Sequence, residues 1–181
     1  MTAKLFLLAL AMHAGPAAAT VLGGAVTGGS AAGAGFEVLA AGEGLVVGDD
    51  TFQRPGLYAF DEDQNITLDR DLRVDIGAVI ARGTVVASHY VFFDPGPGTS
   101  QKGWVEFDSV VLGIPTETPT LRATDFLANT DVIYLSPGLR GLEWEDRVWI
   151  DPDNPFRIRV DWIASTPGDY IRVFTALSPG V

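Results

Sequence analysis

Continuous and alternating runs of apolar residues predict β-strands along most of this chain. The longest run, residues 85–93, consists almost entirely of β-branched and aromatic side chains, a composition typical of a buried strand. After a connection rich in proline and glycine, Trp104, Glu106 and Asp108 alternate with apolar residues and therefore share one strand face. The length of the connection fits an antiparallel hairpin, so we predict a central hairpin within residues 85–114.

The C-terminal part of the chain shows a second pair of alternating runs. Residues 156–163 and 170–177 both alternate, and the turn sequence TPGD at 166–169 separates them, which predicts a terminal antiparallel hairpin. Helical periodicity is weak throughout. We predict one short helical turn over residues 124–128, with Thr124 as its cap.

This pattern predicts an all-β fold. Roughly nine or ten short strands, separated by turn residues and with almost no helix, favour an antiparallel β-sandwich of jelly-roll-like topology. A β-barrel is the alternative that periodicity leaves open. A parallel α/β fold would need helical crossovers, which this sequence lacks.

The N-terminal region differs from the rest of the chain. Residues 1–19 resemble a secretory signal peptide, because Lys4 precedes a short apolar stretch that ends near three alanines. Residues 20–35 are mostly Gly, Ala, Ser and Thr, with little to bury, and are predicted to be a flexible leader. Residues 36–181 then form a single β-sandwich domain of a secreted protein, with no membrane span after cleavage of the signal.

Composition excludes several kinds of chemistry. The 23 acidic side chains outnumber the 12 basic ones, and the formal net charge of −11 disfavours binding to nucleic acid or to anionic membranes. Cysteine is absent, so disulfides, thiol nucleophiles and thiolate metal sites are excluded. His89 is the one histidine that follows the signal segment, and we interpret it as a structural residue hydrogen-bonded in or beside the core.

An acidic turn supplies the candidate metal ligands. Asp61, Asp63 and Asn65 stand at alternate positions, as at the start of a calcium-binding loop, since calcium prefers several carboxylate and amide oxygens. The glycine and the distal glutamate of an EF-hand loop are missing. Because Asp and Asn are also favoured in ordinary turns, a solvated β-turn is the alternative interpretation.

Two tryptophans are the candidate ligand-binding residues. Trp104 shares its strand face with two carboxylates, and Trp144 lies in a glycine-containing loop, so both are placed where they can face outward and stack on sugar rings. Packing in the core or under a loop is the alternative for both. Trp149 and Trp162 lie in apolar strands and are predicted to belong to the core.

Five segments occur in an order that carries a family resemblance. They are SHYVFFDP (88–95), VEFDSVVLGI (105–114), ATDFLA (123–128), YLSPGLRGLE (134–143) and DYIRVFTA (169–176). This set resembles uncharacterised exported bacterial proteins that often carry a C-terminal sorting signal of the PEP-CTERM kind. The resemblance implies an extracellular or cell-envelope role alongside exopolysaccharide. The chain ends without that signal, so we expect a released protein.

The sequence therefore predicts a secreted, non-enzymatic protein of the cell envelope or extracellular matrix that binds or coats extracellular material, with polysaccharide as its partner. The first alternative is a calcium-stabilised carbohydrate-binding module. The second is a glycan hydrolase that uses Glu106 and Asp108 as paired carboxylates.

Overall fold

Thirteen short strands and two short helical segments make up the regular structure of residues 20–96, 98–164 and 166–177, the part of the chain that the computed structural model describes. The strands are β1 (Val21–Gly28), β2 (Phe36–Val38), β3 (Val46–Val47), β4 (Leu57–Asp61), β5 (Ile66–Thr67), β6 (Ile76–Gly77), β7 (Val85–Phe93), β8 (Thr99–Phe107), β9 (Val111–Ile114), β10 (Ile133–Tyr134), β11 (Arg147–Ile150), β12 (Arg157–Ala164) and β13 (Asp169–Ala176). The all-β prediction is confirmed. The predicted signal peptide, residues 1–19, lies outside the described residues.

Two open sheets enclose the main hydrophobic core in a sandwich-like arrangement. The smaller sheet has the strand order β1-β8-β12-β11, and the larger sheet has the order β2-β4-β7-β13-β9-β6, with β5 also paired to β7. Most pairs are antiparallel, but β2 pairs with β4 in parallel and β10 pairs with β3 in parallel. The core between the sheets includes Val105, Phe107, Ile158, Trp162, Val91, Phe93, Ile171 and Val173.

The larger sheet is covered on both faces. Nearly every residue of β7 and β13 is buried, because loops and the helical segments pack on the outer face of this sheet. One outer cluster surrounds Tyr90, Phe92 and Tyr170, and a second contains Phe174 and Leu127. The smaller sheet, in contrast, has β8 and β12 strands that alternate between buried and partly exposed residues, so its outer face meets solvent.

Both predicted hairpins are wrong, although their strands are present. β7 pairs with β13 and β8 pairs with β12, so the connections after β7 and after β12 each cross from one sheet to the other. These crossings are neighbours, since Phe93 pairs with Asp169 and Thr99 pairs with Ala164. The physical reason is burial: the two strands that are buried on both faces pair with each other, as do the two that keep a solvated face.

The flexible-leader prediction for residues 20–35 is also wrong, because β1 lies in this segment and pairs with β8 along its length. Val21 is buried at the sandwich edge. The small residues permit close packing: a Cβ added at Gly24 would lie 2.6 Å from the Phe36 ring. Ordered structure therefore begins before Phe36, and β1 belongs to the sandwich domain.

The predicted helical turn is present as a 3₁₀ turn, Asp125–Leu127, but Thr124 does not cap it through its side chain. Its hydroxyl instead donates to the carbonyls of Thr120 and Leu121. Those carbonyls belong to α1 (Thr118–Ala123), a helix that the sequence did not indicate because six residues are too few for a clear 3.6-residue period. No helix in the described part of the chain is long and apolar enough to cross a membrane.

Candidate functional site

The outer face of the smaller sheet carries a row of large side chains across three strands. Trp104 on β8 lies opposite Arg159 on β12, and Arg159 lies opposite Trp149 on β11. Because neighbouring strands are about 4.8 Å apart, the backbones of the two tryptophans are roughly 10 Å apart. Trp149 is 38% exposed and Trp104 is half-buried. We call this row, Trp104, Arg159 and Trp149, the tryptophan row.

The Trp104 ring is held in place by its neighbours. The Arg157 guanidinium carbon lies 4.3 Å from the centre of the ring, a cation–π contact. Glu106 fixes that guanidinium, because its Oε2 accepts hydrogen bonds from Arg157 Nε at 2.9 Å and from Arg157 Nη2. Asn154 Nδ2 donates to the same oxygen at 3.2 Å. The ring therefore has a defined orientation before any ligand arrives.

Two further ion pairs lie along this face. Arg159 Nε donates to Asp151 Oδ2 at 2.7 Å, and Lys102 Nζ donates to Asp161 Oδ2 at 2.7 Å. The Asp151 carboxylate is almost fully buried, so the Arg159 head group is anchored from the inner side. The face thus combines two indole rings with three ion pairs and the exposed Arg147.

A groove of about 520 Å³ continues from this face around the edge strand β11. Trp149 and Trp144 both line it, together with Leu142 and Glu117. Trp144 is 90% exposed, so of the two interpretations that the sequence left open, packing in the core does not apply to it. Trp144 lies outside the sheet, in the loop before β11; Trp149 lines the groove with it and lies across β12 from Trp104.

Trp149 is the site residue that the sequence analysis missed. Trp149 was predicted to belong to the core, and that prediction is wrong. The same prediction for Trp162 is confirmed, because Trp162 is fully buried. A signal was present in the sequence: β11 reads Arg147, Val148, Trp149, Ile150, and side chains two apart share a face. The exposed Arg147 therefore marks the solvent face, and Trp149 lies on it.

The candidate calcium ligands have partners within the protein. Asp61 Oδ1 accepts from Val21 N at 3.1 Å and lies 2.7 Å from His89 Nδ1. Asp63 Oδ1 accepts from the Gln64 N–H at 3.0 Å, a contact typical of a turn. Within residues 20–96, 98–164 and 166–177, no group of three or more His, Asp or Glu side chains could hold a metal ion. The calcium site stays a prediction.

His89 connects an acid and a hydroxyl in the core. Its Nδ1 lies 2.7 Å from Asp61 Oδ1, and its Nε2 lies 3.0 Å from Thr175 Oγ1. This connectivity resembles that of an acid–base–nucleophile triad. However, His89 and Thr175 are fully buried, and the imidazole packs against the Phe107 ring at 4.7 Å. The hydroxyl therefore has no surface open to a substrate, which favours the structural interpretation of His89.

A buried ion network lies on the opposite side of the molecule. Arg172 on β13 binds Glu62 through two nitrogens, at 2.5 and 2.8 Å, and both side chains are fully buried. Ser88 and Tyr134 donate hydroxyl hydrogen bonds to the two Glu62 oxygens at 2.7 and 2.6 Å. Because every oxygen of the carboxylate is used, Glu62 is held as a structural anion beneath the loops that cover the larger sheet.

No family model, no curated protein and no solved structure matches this chain.

The buried Asp169 predicts how stability depends on pH. Asp169 is 2% exposed, and burial raises its pKa to about 9, with a further contribution from the neighbouring Asp146 carboxylate. In the unfolded chain its pKa is about 3.9. The folded state therefore retains a proton that the unfolded state releases, so this group's stability contribution is present below pH about 4 and is lost as pH rises through about 9.

We expect Asp169→Asn to be about as stable as the parent at pH 4 and increasingly more stable above it, by up to about 1.4 kcal/mol per pH unit as far as pH 8. The amide keeps a donor for Asp146 without the cost of ionising a buried acid. Urea unfolding across this pH range measures the effect, and Asp153→Asn, at an exposed position, is the matched control. A pH-independent difference would contradict the assignment.

Proposed function

We propose that the protein is exported and binds extracellular polysaccharide on the outer face of its smaller sheet, without catalysing a reaction on it. The observation that carries the proposal is the tryptophan row. Two indole rings on one open sheet face, with Arg159 between them in the strand register, suit a ligand that offers both apolar C–H surfaces and hydroxyl groups. Sugars provide both, in alternation along a chain.

Preorganisation supports this function. Because Arg157 and Glu106 already hold the Trp104 ring, binding would order few additional side chains and lose little conformational entropy. The ion-paired groups along the row can donate to and accept from hydroxyls. Export is supported by the pattern of residues 1–19 and by the resemblance to exported proteins, and the acidic composition favours solubility outside the cell.

The test removes the rings one at a time. We expect Trp104→Ala and Trp149→Ala each to weaken retention on a binding polysaccharide about tenfold, because a lost stacking contact of about 1.4 kcal/mol changes affinity by that factor. Affinity electrophoresis through gels containing dissolved polysaccharides measures retention. Phe126→Ala removes a 43% exposed ring outside this face and is the control.

Trp104→Phe tests whether the aromatic ring itself matters. It keeps a ring beneath Arg157 and should therefore retain more binding than Trp104→Ala. Thermal unfolding of each variant checks that the fold is intact. Equal retention of parent, Trp104→Ala and Trp149→Ala proteins would overturn the assignment of this face.

A further inference from the structure

We infer that the polysaccharide bound by this face is uncharged and is held through internal sugar units rather than through a chain end. This inference rests on the proposed function and adds the class of ligand to it. Two independent features of the face support it: the pairing of most of its charges, and the small β1 residues Ala25 and Gly23 that continue the face beyond Trp104.

Most charges of the face are already compensated; Arg147, which has no ion pair among the described residues, lies opposite Asp161, the partner of Lys102. The ion pairs of the face are Arg157 with Glu106, Arg159 with Asp151, and Lys102 with Asp161. At every cation of the face except Arg147, an acidic polymer would have to displace a protein carboxylate, and it would approach a protein whose formal net charge is −11. An aminated polymer would likewise have to displace a cation from its carboxylate. A hydroxyl can add a hydrogen bond to either partner while both charges stay paired.

The face is open where β1 borders it. Ala25 lies opposite Trp104, and Gly23 lies opposite Glu106, so small residues continue the face beyond the tryptophan row. A Cβ added at Gly23 would meet no atom within 4 Å, which shows that this position faces open space. At the other end, Trp149 leads into the groove beside Trp144. A polymer can therefore extend past both ends of the row.

A chain-end site would need the opposite geometry. Recognition of a terminal sugar requires a pocket that surrounds it and polar groups that converge on the terminal hydroxyls. Trp104 and Trp149 instead lie on a sheet surface, separated by one strand. Such a platform gains affinity from each additional sugar unit that it contacts, until the ligand spans the row.

The experiment compares polymers of different charge. Affinity electrophoresis of the parent protein uses an uncharged glucan or mannan, a uronate polymer and an aminated polymer, each at low and at high salt. We expect retention by an uncharged polymer, unchanged by salt and by borohydride reduction of its chain ends. Free monosaccharide should not compete, and oligosaccharides should compete better as their length increases.

A variant tests the role of charge pairing directly. Glu106→Gln removes the anion that compensates Arg157 but keeps an amide oxygen to hold it, so the face gains one net positive charge. We expect the variant to gain several-fold retention by the uronate polymer at low salt, and to lose that gain at high salt. Asp131→Asn makes the same charge change at an exposed position away from the face and is the matched control.

The outcomes separate the inference from the proposed function. Stronger retention of the parent by the uronate or aminated polymer, falling with salt, would overturn the uncharged class while leaving polysaccharide binding intact. Loss of retention after chain-end reduction, or competition by a monosaccharide, would overturn binding through internal units. Retention by no polymer at all would overturn the proposed function itself.

Discussion

Arg172→Met is expected to destabilise the folded state by roughly 3–5 kcal/mol, the typical cost of removing one partner from a buried ion pair. The Glu62 carboxylate would remain buried among Ser88 and Tyr134 without its cation. A loss of this size is a large fraction of the 5–15 kcal/mol by which domains are typically stable. Equilibrium unfolding in urea measures it directly.

The size of the effect follows from how many elements Arg172 joins. Besides Glu62, which follows β4, its Nη1 donates to Leu121 O at 3.2 Å and to Thr124 Oγ1 at 2.9 Å, at the end of α1. Asp125 then accepts from Arg172 at 3.3 Å and from Arg140 at 2.5 Å. One guanidinium therefore ties the covering layer to the centre of the larger sheet.

Two further variants show whether the loss comes from the uncompensated charge. The double variant Glu62→Leu with Arg172→Met removes both charges and is expected to recover part of the stability, because apolar packing can replace a buried pair. Arg70→Met breaks a solvent-exposed pair with Asp69 and should cost far less than Arg172→Met, because water screens exposed charges. If Arg172→Met and Arg70→Met cost the same, the network has no special role.

A chain that begins at Phe36 is expected to be less stable than one that begins at Thr20 by on the order of 5 kcal/mol. The shorter chain lacks β1, so it loses the burial of Val21 and Val26 at about 1.5–3 kcal/mol per valine, and the hydrogen bond from Val21 N to Asp61. It also leaves β8 as an unpaired edge strand, which favours aggregation.

Comparing the two chains by urea unfolding and by light scattering tests this prediction. A third chain that begins at Thr20 and carries Gly24→Val is the matched variant, because it keeps β1 but forces a side chain against the Phe36 ring. It should be destabilised without the exposed edge. Equal stability of the Thr20 and Phe36 chains would restore the flexible-leader interpretation and contradict the role of β1.

The sequence predicts where the strands lie but not which strands pair with each other. Alternation placed Val105 and Phe107 in the core and Trp104 and Glu106 toward the outer face, because the two-residue period of a strand is a local property. Pairing between β7 and β13 joins residues far apart in the chain, and adjacent strands with a turn between them look like hairpins. The difference in burial between β7 and β8 was the available clue.

The buried ion network shows a second kind of limit. Glu62 stands in an acidic turn, and Arg172 alternates with apolar residues in β13, so each side chain reads as solvent-facing in isolation. Both are buried because loops distant in sequence cover the outer face of the larger sheet. No local sequence pattern indicates that these loops cover the sheet. The glycine-rich β1 is mistaken for a leader for the same reason. Its partner strand, β8, lies about eighty residues later in the chain, so no local pattern indicates the pairing.

Nuclear magnetic resonance of the indole N–H groups reports separately on each tryptophan, and so shows which rings contact a bound polysaccharide. The protein has four tryptophans, and the fully buried Trp162 is an internal control. On titration with an uncharged polysaccharide, the account predicts that the Trp104 and Trp149 signals shift together with one saturation curve, while the Trp162 signal stays in place. Saturable binding with no shift at Trp104 and Trp149 would contradict the assignment of the binding face.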